Sequence, residues 1–352
     1  MERKVDRRKF LKATSAATTG LALTSVASAS DGPVVKRLKG SYNQPISLSE
    51  LRRTRKRAVD EHVKQGGTAP TWYAEADPVY PDEGSIVDYV VTVQPNGQPK
   101  QHVETVGDTA SEAAAHAAAD EAAQAFRAGE AGSASADSSG SDLSTQQSVD
   151  GDWNRITDDQ GSYRSCPYGE VKHNFEWWKL DESVDDYGED AHAVKQIASM
   201  TPGDDDDADT SPCDSDAWHN EWMMVKNDWD QAEVPNPALH EWDPYSTDAN
   251  TVDVALSTSM TDAGLSWSFD NDGSIEYYVN GNEVQWELHG LYGTERNITQ
   301  TMKPGTVCHF DEPSCDVKNQ LTFLRMEGHF EDSRTNKYYL YYNWDLYYTR
   351  YC

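Results

Sequence analysis

No run of 18 apolar residues occurs in the 352-residue chain, so no membrane-spanning helix is expected. G-x-S-x-G, H-E-x-x-H, G-x-G-x-x-G and P-loop patterns are also missing, which removes the common motif-borne serine hydrolase, zinc protease, dinucleotide and nucleotide sites. Basic residues are scarce after Gly66, where 15 Lys and Arg face 54 Asp and Glu, a balance of −39. Phosphate backbones are held by positive charge, so nucleic acid is excluded as a partner. Cysteine is sparse, five in all, and no two have C-x-x-C spacing, so a thiolate metal site is not indicated.

What the chain does have begins with Asp6-Arg7-Arg8-Lys9-Phe10-Leu11-Lys12, followed by a mildly apolar stretch over residues 13–26 and by Ala27-Ser28-Ala29. That order reads as a twin-arginine export signal over residues 1–29, with Arg7 and Arg8 as its recognition pair and cleavage after Ala29. The stretch is too short and too rich in Ala, Thr and Ser to cross a ~30 Å hydrocarbon core. The first cysteine is Cys166, so no lipid anchor follows the signal. The translocase that reads the two arginines is the first expected partner, and the expected destination is extracellular.

The whole chain holds 60 acidic and 30 basic residues. Such acidity often marks disorder, yet 11 Trp, 18 Tyr and 7 Phe call for a packed interior. Concentrated salt reconciles the two, because at 1 M the Debye length is about 3 Å and neighbouring carboxylates barely interact. With Arg7, Arg8 and this composition together, the chain resembles the twin-arginine-exported secreted proteins of halophilic archaea. The resemblance implies a compartment and a solvent, and no activity.

Residues 30–128 form a basic helix followed by a ββα region. Residues 30–66 carry nine Lys and Arg against four acids. Ser47-Leu48-Ser49-Glu50 has capping-box spacing, and Gly66 is placed to stop a helix of about 18 residues. Its sharp reading is a removable pro-segment or clamp on the acidic body; a solvated basic helix and a membrane-surface helix are the alternatives. Residues 86–93 and 100–106 read as strands around a Pro95-Asn96-Gly97 turn. Thr109 then caps an Ala-rich helix with Ala114, Ala118, Ala122 and Phe126 on one face. His102 and His116 are expected at the surface. Residues 129–150, nearly free of apolar side chains, form a linker spanning about 26 Å.

Residues 151–352 hold ten of the 11 Trp and 14 of the 18 Tyr. Val252, Val254 and Leu256 alternate with polar residues, as do Leu265, Trp267 and Phe269. Asn271-Asp272-Gly273 and Asn280-Gly281 separate further alternating runs, the strongest short-range hairpin signal. Residues 175–180, 218–225, 321–330 and 338–348 add strands. The predicted fold is mainly β, an antiparallel β-sandwich after the ββα region, with a closed barrel as the alternative. Outside the cell the cysteines are read as disulfides, pairing Cys308 with Cys315 and Cys166 with Cys213.

One recurrence stands out: His173-Asn174-Phe175-Glu176-Trp177-Trp178, His219-Asn220-Glu221-Trp222 and His240-Glu241-Trp242. On strands, period two puts His219 and Glu221 on one face. Three arrangements satisfy the pattern. The Trp residues are core and the polar ones face solvent; or Trp177, Trp178, Trp222 and Trp242 present flat faces to sugars or a partner; or His173, His219, Glu221 and His240 hold a divalent cation. No other cofactor is implied. Asp204, Asp205, Asp206, Asp207 and Asp209 could hold Ca²⁺ but read better as a solvated loop. Asn297-Ile298-Thr299 is a glycosylation acceptor and belongs at the surface. The expected function is a non-enzymatic extracellular binding module for a polymer or surface protein. An extracellular hydrolase using carboxylates or a His/Glu metal site is the alternative, and an antagonistic protein with a removable pro-region is another.

Overall fold

The computed structural model describes residues 33–67, 72–79, 85–95, 97–106, 111–128, 148–150, 153–180, 189–203, 213, 217–231, 233–258, 261–311 and 313–349. The leader with Arg7 and Arg8, Thr109, most of the 129–150 segment, the Asp204 to Asp209 loop and Cys352 lie outside them. The elements are β1 (Val34–Lys39), α1 (Leu48–Lys64), β2 (Trp72–Val79), β3 (Ser85–Val93), β4 (Pro99–Val106), α2 (Glu112–Ala128), β5 (Ser148–Asp150), β6 (Trp153–Cys166), β7 (Gly169–Leu180), β8 (Glu189–Pro202) and β9 (Trp218–Asp228). They continue with β10 (Ala238–Asp243), β11 (Thr251–Thr258), β12 (Thr261–Asp270), β13 (Ser274–Asn280), β14 (Glu283–His289), a 3-10 turn (Gly293–Asn297), β15 (Gln300–Met302), β16 (Gly305–Asp311), β17 (Lys318–Asp332) and β18 (Lys337–Thr349).

Three sheets result. The first runs β1-β3-β4-β6-β7-β8-β16-β10, with β15 also on β8; the second runs β13-β14-β9-β17-β18-β2; the third is β11-β12-β5. None closes into a barrel, so the sandwich prediction stands. The first two sheets face one another across the core, where the Phe175 ring meets Trp344 edge-on at 5.3 Å and the Trp344 indole N–H donates to His173 O at 2.9 Å. The Val-rich β3 is buried along nearly its whole length because both of its faces are covered. Tyr89, Val91 and Val93 join the main core, while Val90 packs with Val35, Ala119, Ala123 and Phe126 under α2.

The capping box forms as expected, with the Ser47 N–H donating to Glu50 Oε2 at 2.8 Å, and Gly66 takes φ +94° just past α1. The apolar face of α2 is shifted by one position. Ala115, Ala119, Ala123 and Phe126 are buried, and Ala114 is exposed. At about 100° per residue this set lies within an arc of about 80°, whereas uniform steps of four back from Phe126 spread over about 120°. His102 is buried instead of at the surface. Its ring nitrogens pair with Ser162 Oγ and Glu104 Oε1, which answers the buried carboxylate with a partner.

The regions on either side of the 129–150 segment share both principal sheets. β4 runs parallel to β6 from Lys100 opposite Gln160 to Val106 opposite Cys166, and β2 lies antiparallel to β18. Basic residues of the first region serve as internal counter-ions. Arg37 donates to both oxygens of Asp88, at 2.8 and 2.6 Å, and Arg55 of α1 reaches Asp159 of β6 at 3.1 Å.

Cys166 and Cys213 form the expected disulfide, with Cα atoms 5.3 Å apart. The Cys308–Cys315 pairing is overturned. Cys308 lies mid-strand in β16, opposite His192 on one side and Leu239 on the other; it is a free thiol, fully buried, and burial pushes its pKa up to about 12. A side chain fixed inside that ladder cannot turn towards the residues after the strand, and Cys315 is disulfide-bonded elsewhere. The Cys166–Cys213 link closes a separation of 47 residues. Replacing both with Ala should lower stability by about 4 kcal/mol on the loop-entropy model, read as a shifted denaturation midpoint in high salt.

Candidate functional site

The recurrent His and Trp motifs are dispersed. His173 is fully buried in the middle of β7 and bonds Tyr342 O at 3.0 Å and the Gln196 amide at 2.9 Å. Burial drives its pKa down to about 4, so the ring is neutral and carries one N–H. Nδ1 faces Tyr342 O and Nε2 faces Gln196 Oε1, and the single N–H of the ring donates to one of these two acceptors. His219 sits on β9 opposite Glu331, and Glu221 pairs with Lys337. His240 lies at a bulge of β10, its ring 4.7 Å from that of His309. His173 and His240 lie on β7 and β10 of the first sheet and His219 and Glu221 on β9 of the second, so the four are not brought together. Among the described residues no group of three His, Cys, Asp or Glu is placed to hold a metal ion.

Trp177 and Trp178 are buried, the first with its indole N–H on His192 Nδ1 at 2.9 Å, so neither offers a ring face to a ligand. Trp242 is half-buried and clusters with Tyr245 and Tyr277, at 6.4 and 6.3 Å between ring centres. Its indole nitrogen is shielded from solvent and has no hydrogen-bond partner among the described residues.

Trp222 has the most developed surroundings. β9 lies between β14 and β17 in the second sheet, and β17 pairs onward with β18. The register sets Trp222 opposite His329, and His329 opposite Tyr339. His289, next after the Leu288–Met223 pair, completes a row across four strands on the face turned away from the core. The Trp222 ring stacks on His329 with centres 3.4 Å apart and lies 5.8 Å from His289; Tyr339 meets His329 edge-on at 4.2 Å. At a strand spacing of ~4.8 Å the row is about 15 Å long.

A carboxylate flanks each imidazole. Glu287 bonds His289 Nε2 at 2.8 Å, and Glu327 bonds His329 Nε2 at 3.1 Å. Burial lowers the His329 pKa against the opposing pull of Glu327. Arg325 pairs with Glu327 and lies 4.7 Å over the Tyr341 ring. The face therefore offers aromatic surface with hydrogen-bond acceptors and one guanidinium beside it. A sugar ring or a flat polar group would be received by such a surface through stacking and hydroxyl bonds.

Of this row the sequence pattern points to Trp222 and not to its two imidazole partners. The signal was present twice: Glu287-Leu288-His289 and Glu327-Gly328-His329 are both Glu-x-His on a strand, and period two puts each pair on one face.

No protein-family model and no curated protein matches the chain. Solved structures give remote likenesses. One described as a pore forming protein has a TM-score of 0.36 at 8% identity over 57% of this chain and 95% of its own. Clostridium perfringens delta-toxin has 0.33 at 10% identity over 57% and 94%. The Clostridium perfringens NetB toxin in its membrane inserted form has 0.29 at 6% identity over 54% and 95%.

Proposed function

We propose that this protein is a secreted, non-enzymatic binding module that works in concentrated salt and grips an extracellular polymer or cell-surface component through the outer face of the second sheet. The observation that carries this reading is the His289–Trp222–His329–Tyr339 row. Trp222, His289 and Tyr339 are part-exposed while His329 is buried, and the opposite face of the same strands supplies the core residues Met223, Val225, Leu288 and Met326. Export through the twin-arginine translocase rests on Arg7 and Arg8, and the Cys166–Cys213 disulfide suits an oxidising compartment.

The test is retention of the mature protein on cell envelopes and on polysaccharides at high salt. Trp222→Ala should weaken retention about 30-fold, the usual size of a loss at an aromatic anchor. Equal retention of the variant, or none of either protein on any surface, sinks the proposal. High salt matters for the fold as well. Circular dichroism should show structure lost progressively, beginning as salt falls below about 1 M, because repulsion among the carboxylates returns; an unchanged spectrum in dilute buffer contradicts the halophilic reading.

A second reading is favoured by one observation. β11 and β12, of 8 and 10 residues, form an amphipathic hairpin with Val252, Val254, Leu256, Leu265, Trp267 and Phe269 all turned inward. Those lengths approach the ~9–11 residues with which a tilted strand crosses a bilayer. An antagonistic protein that delivers this hairpin to a membrane should release dye from lipid vesicles; no leakage at any salt concentration removes this reading.

A further inference from the structure

Hairpin β11–β12 forms the third sheet with β5, which pairs with Gly264, Leu265 and Ser266 of β12, and it is seated on the first sheet against β10, β15 and β16. The seat is made by Gly305 of β16. A Cβ there would lie 2.6 Å from Trp267 Cη2 and 2.8 Å from Leu256 Cδ1, so the missing side chain is the slot that the hairpin fills. The Trp267 indole N–H donates to Lys303 O at 2.7 Å, and Lys195 Nζ lies 5.2 Å from the centre of its ring.

The free edge of β11 is closed by side chains instead of a strand. Asp243 Oδ2 accepts the Ala255 N–H at 2.6 Å, and Glu241 Oε2 accepts from both the N–H and the hydroxyl of Ser257, the latter at 2.9 Å. Two carboxylates on β10, spaced by two residues, thus take the positions a neighbouring strand's carbonyls would take. Asp253 of β11 adds a third negative charge to this seam. The cation nearest in register is Lys195, in the row Lys195–Gly305–Asp243, and it is engaged by Glu176 at 3.6 Å and by Trp267. Lys303 lies beyond it, and His240, whose ring is paired with that of His309, directly precedes Glu241 on β10.

We propose that hairpin β11–β12 is a salt-held strap: it stays docked while Glu241, Asp243 and Asp253 are screened, and it leaves the first sheet as a unit, ahead of the rest of the sandwich, when the salt around them is diluted. Alternate residues on a strand stand about 6–7 Å apart. A Debye length of about 3 Å at 1 M isolates charges at that separation, and one of about 10 Å at 0.1 M does not. Protons should act in the same direction as salt. Burial raises the Asp243 pKa, the N–H bonds from Ala255 and Tyr245 lower it, and the charges of Glu241 and Asp253 raise it, so the group is raised on balance and a proton on it removes its repulsion of Asp253 across the seam. Lowering pH therefore favours docking, and raising it favours release. The strap goes beyond both functional readings above, since its opening is measured without ligand or lipid.

Hydrogen exchange of the full chain, read by mass spectrometry, tests it. On dilution from 3 M to 0.3 M KCl at pH 7, peptides from β11 and β12 should lose at least tenfold in protection while those from β18 keep theirs, and acidification to pH 5 at 0.3 M should restore them. Glu241→Gln with Asp243→Asn keeps the acceptor oxygens and removes the charges, so that double variant should remain closed at 0.3 M. Asp253→Asn, which removes only repulsion, should shift opening to lower salt. Trp267→Ala should open the hairpin even at 3 M. Simultaneous loss of protection in β11, β12 and β18, or a neutralised double variant that opens like the parent, overturns the proposal.

Discussion

Trp344→Ala should destabilise the protein by about 4–5 kcal/mol, at the upper end for removal of a buried aromatic ring. Trp344 is fully buried on β18, between the two facing sheets. It touches Phe175 and Tyr342, each at 5.3 Å between ring centres, and the Arg55 guanidinium lies 5.7 Å over it. Truncation opens a cavity that strands held by their ladders cannot close, and it also leaves His173 O without the indole N–H. Trp344→Phe separates the two losses, because it keeps most of the volume and drops the donor; it should cost about 1–3 kcal/mol. Equilibrium denaturation at 3 M KCl is the measurement, and a Trp344→Ala loss under 2 kcal/mol contradicts the packing described.

Arg55→Ala should cost about 3–5 kcal/mol, through charge rather than shape. Arg55 and Asp159 are both nearly inaccessible, on α1 and β6, 104 residues apart in sequence. Burial pushes the Asp159 carboxyl up to about 8 even with Arg55 beside it and the Gln160 N–H on its Oδ1 at 2.8 Å. In the unfolded chain the same group titrates near 4. The folded state therefore holds a proton that the unfolded state releases, and this group's contribution to stability falls as pH rises from about 4 to about 8. Without Arg55 the carboxyl titrates higher still. The cost of Arg55→Ala should consequently be larger at pH 9 than at pH 6, and adding Asp159→Asn should recover part of it at pH 9. A cost independent of pH would falsify the coupling.

The two variants probe parts of the chain that differed in how openly the sequence displayed them. β11 to β14, β17 and β18 alternate apolar and polar residues and are punctuated by Asn271-Asp272-Gly273 and Asn280-Gly281, so local periodicity alone locates them. β6 hides because its run Thr157-Asp158-Asp159-Gln160-Gly161-Ser162 is polar and yet enclosed by the second sheet and α1, where Arg55 and Tyr342 answer it. Gly161 fits there because any Cβ would lie 2.0 Å from Tyr342 Oη. β8 and β16 are enclosed on both sides by other strands, and their signal merges with core composition. The basic helix announced its cap and its charge; that one of its arginines turns inward depends on a strand a hundred residues later. At the candidate site Trp222 was legible as an aromatic on a strand. Its two imidazole neighbours come from β14 and β17, and only register brings them beside it.

The parallel pairing of β4 with β6 and the β2–β18 pairing also set an order of events in synthesis. The second sheet receives β2 only after β18, near residue 349, has been made, so that early strand waits through nearly all of translation without its neighbour. A waiting strand exposes unpaired amides and is open to the wrong partners. Contacts spanning this much chain close slowly. A ribosome stalled before β18 should carry a chain whose first sheet is protected from protease while β2 is not.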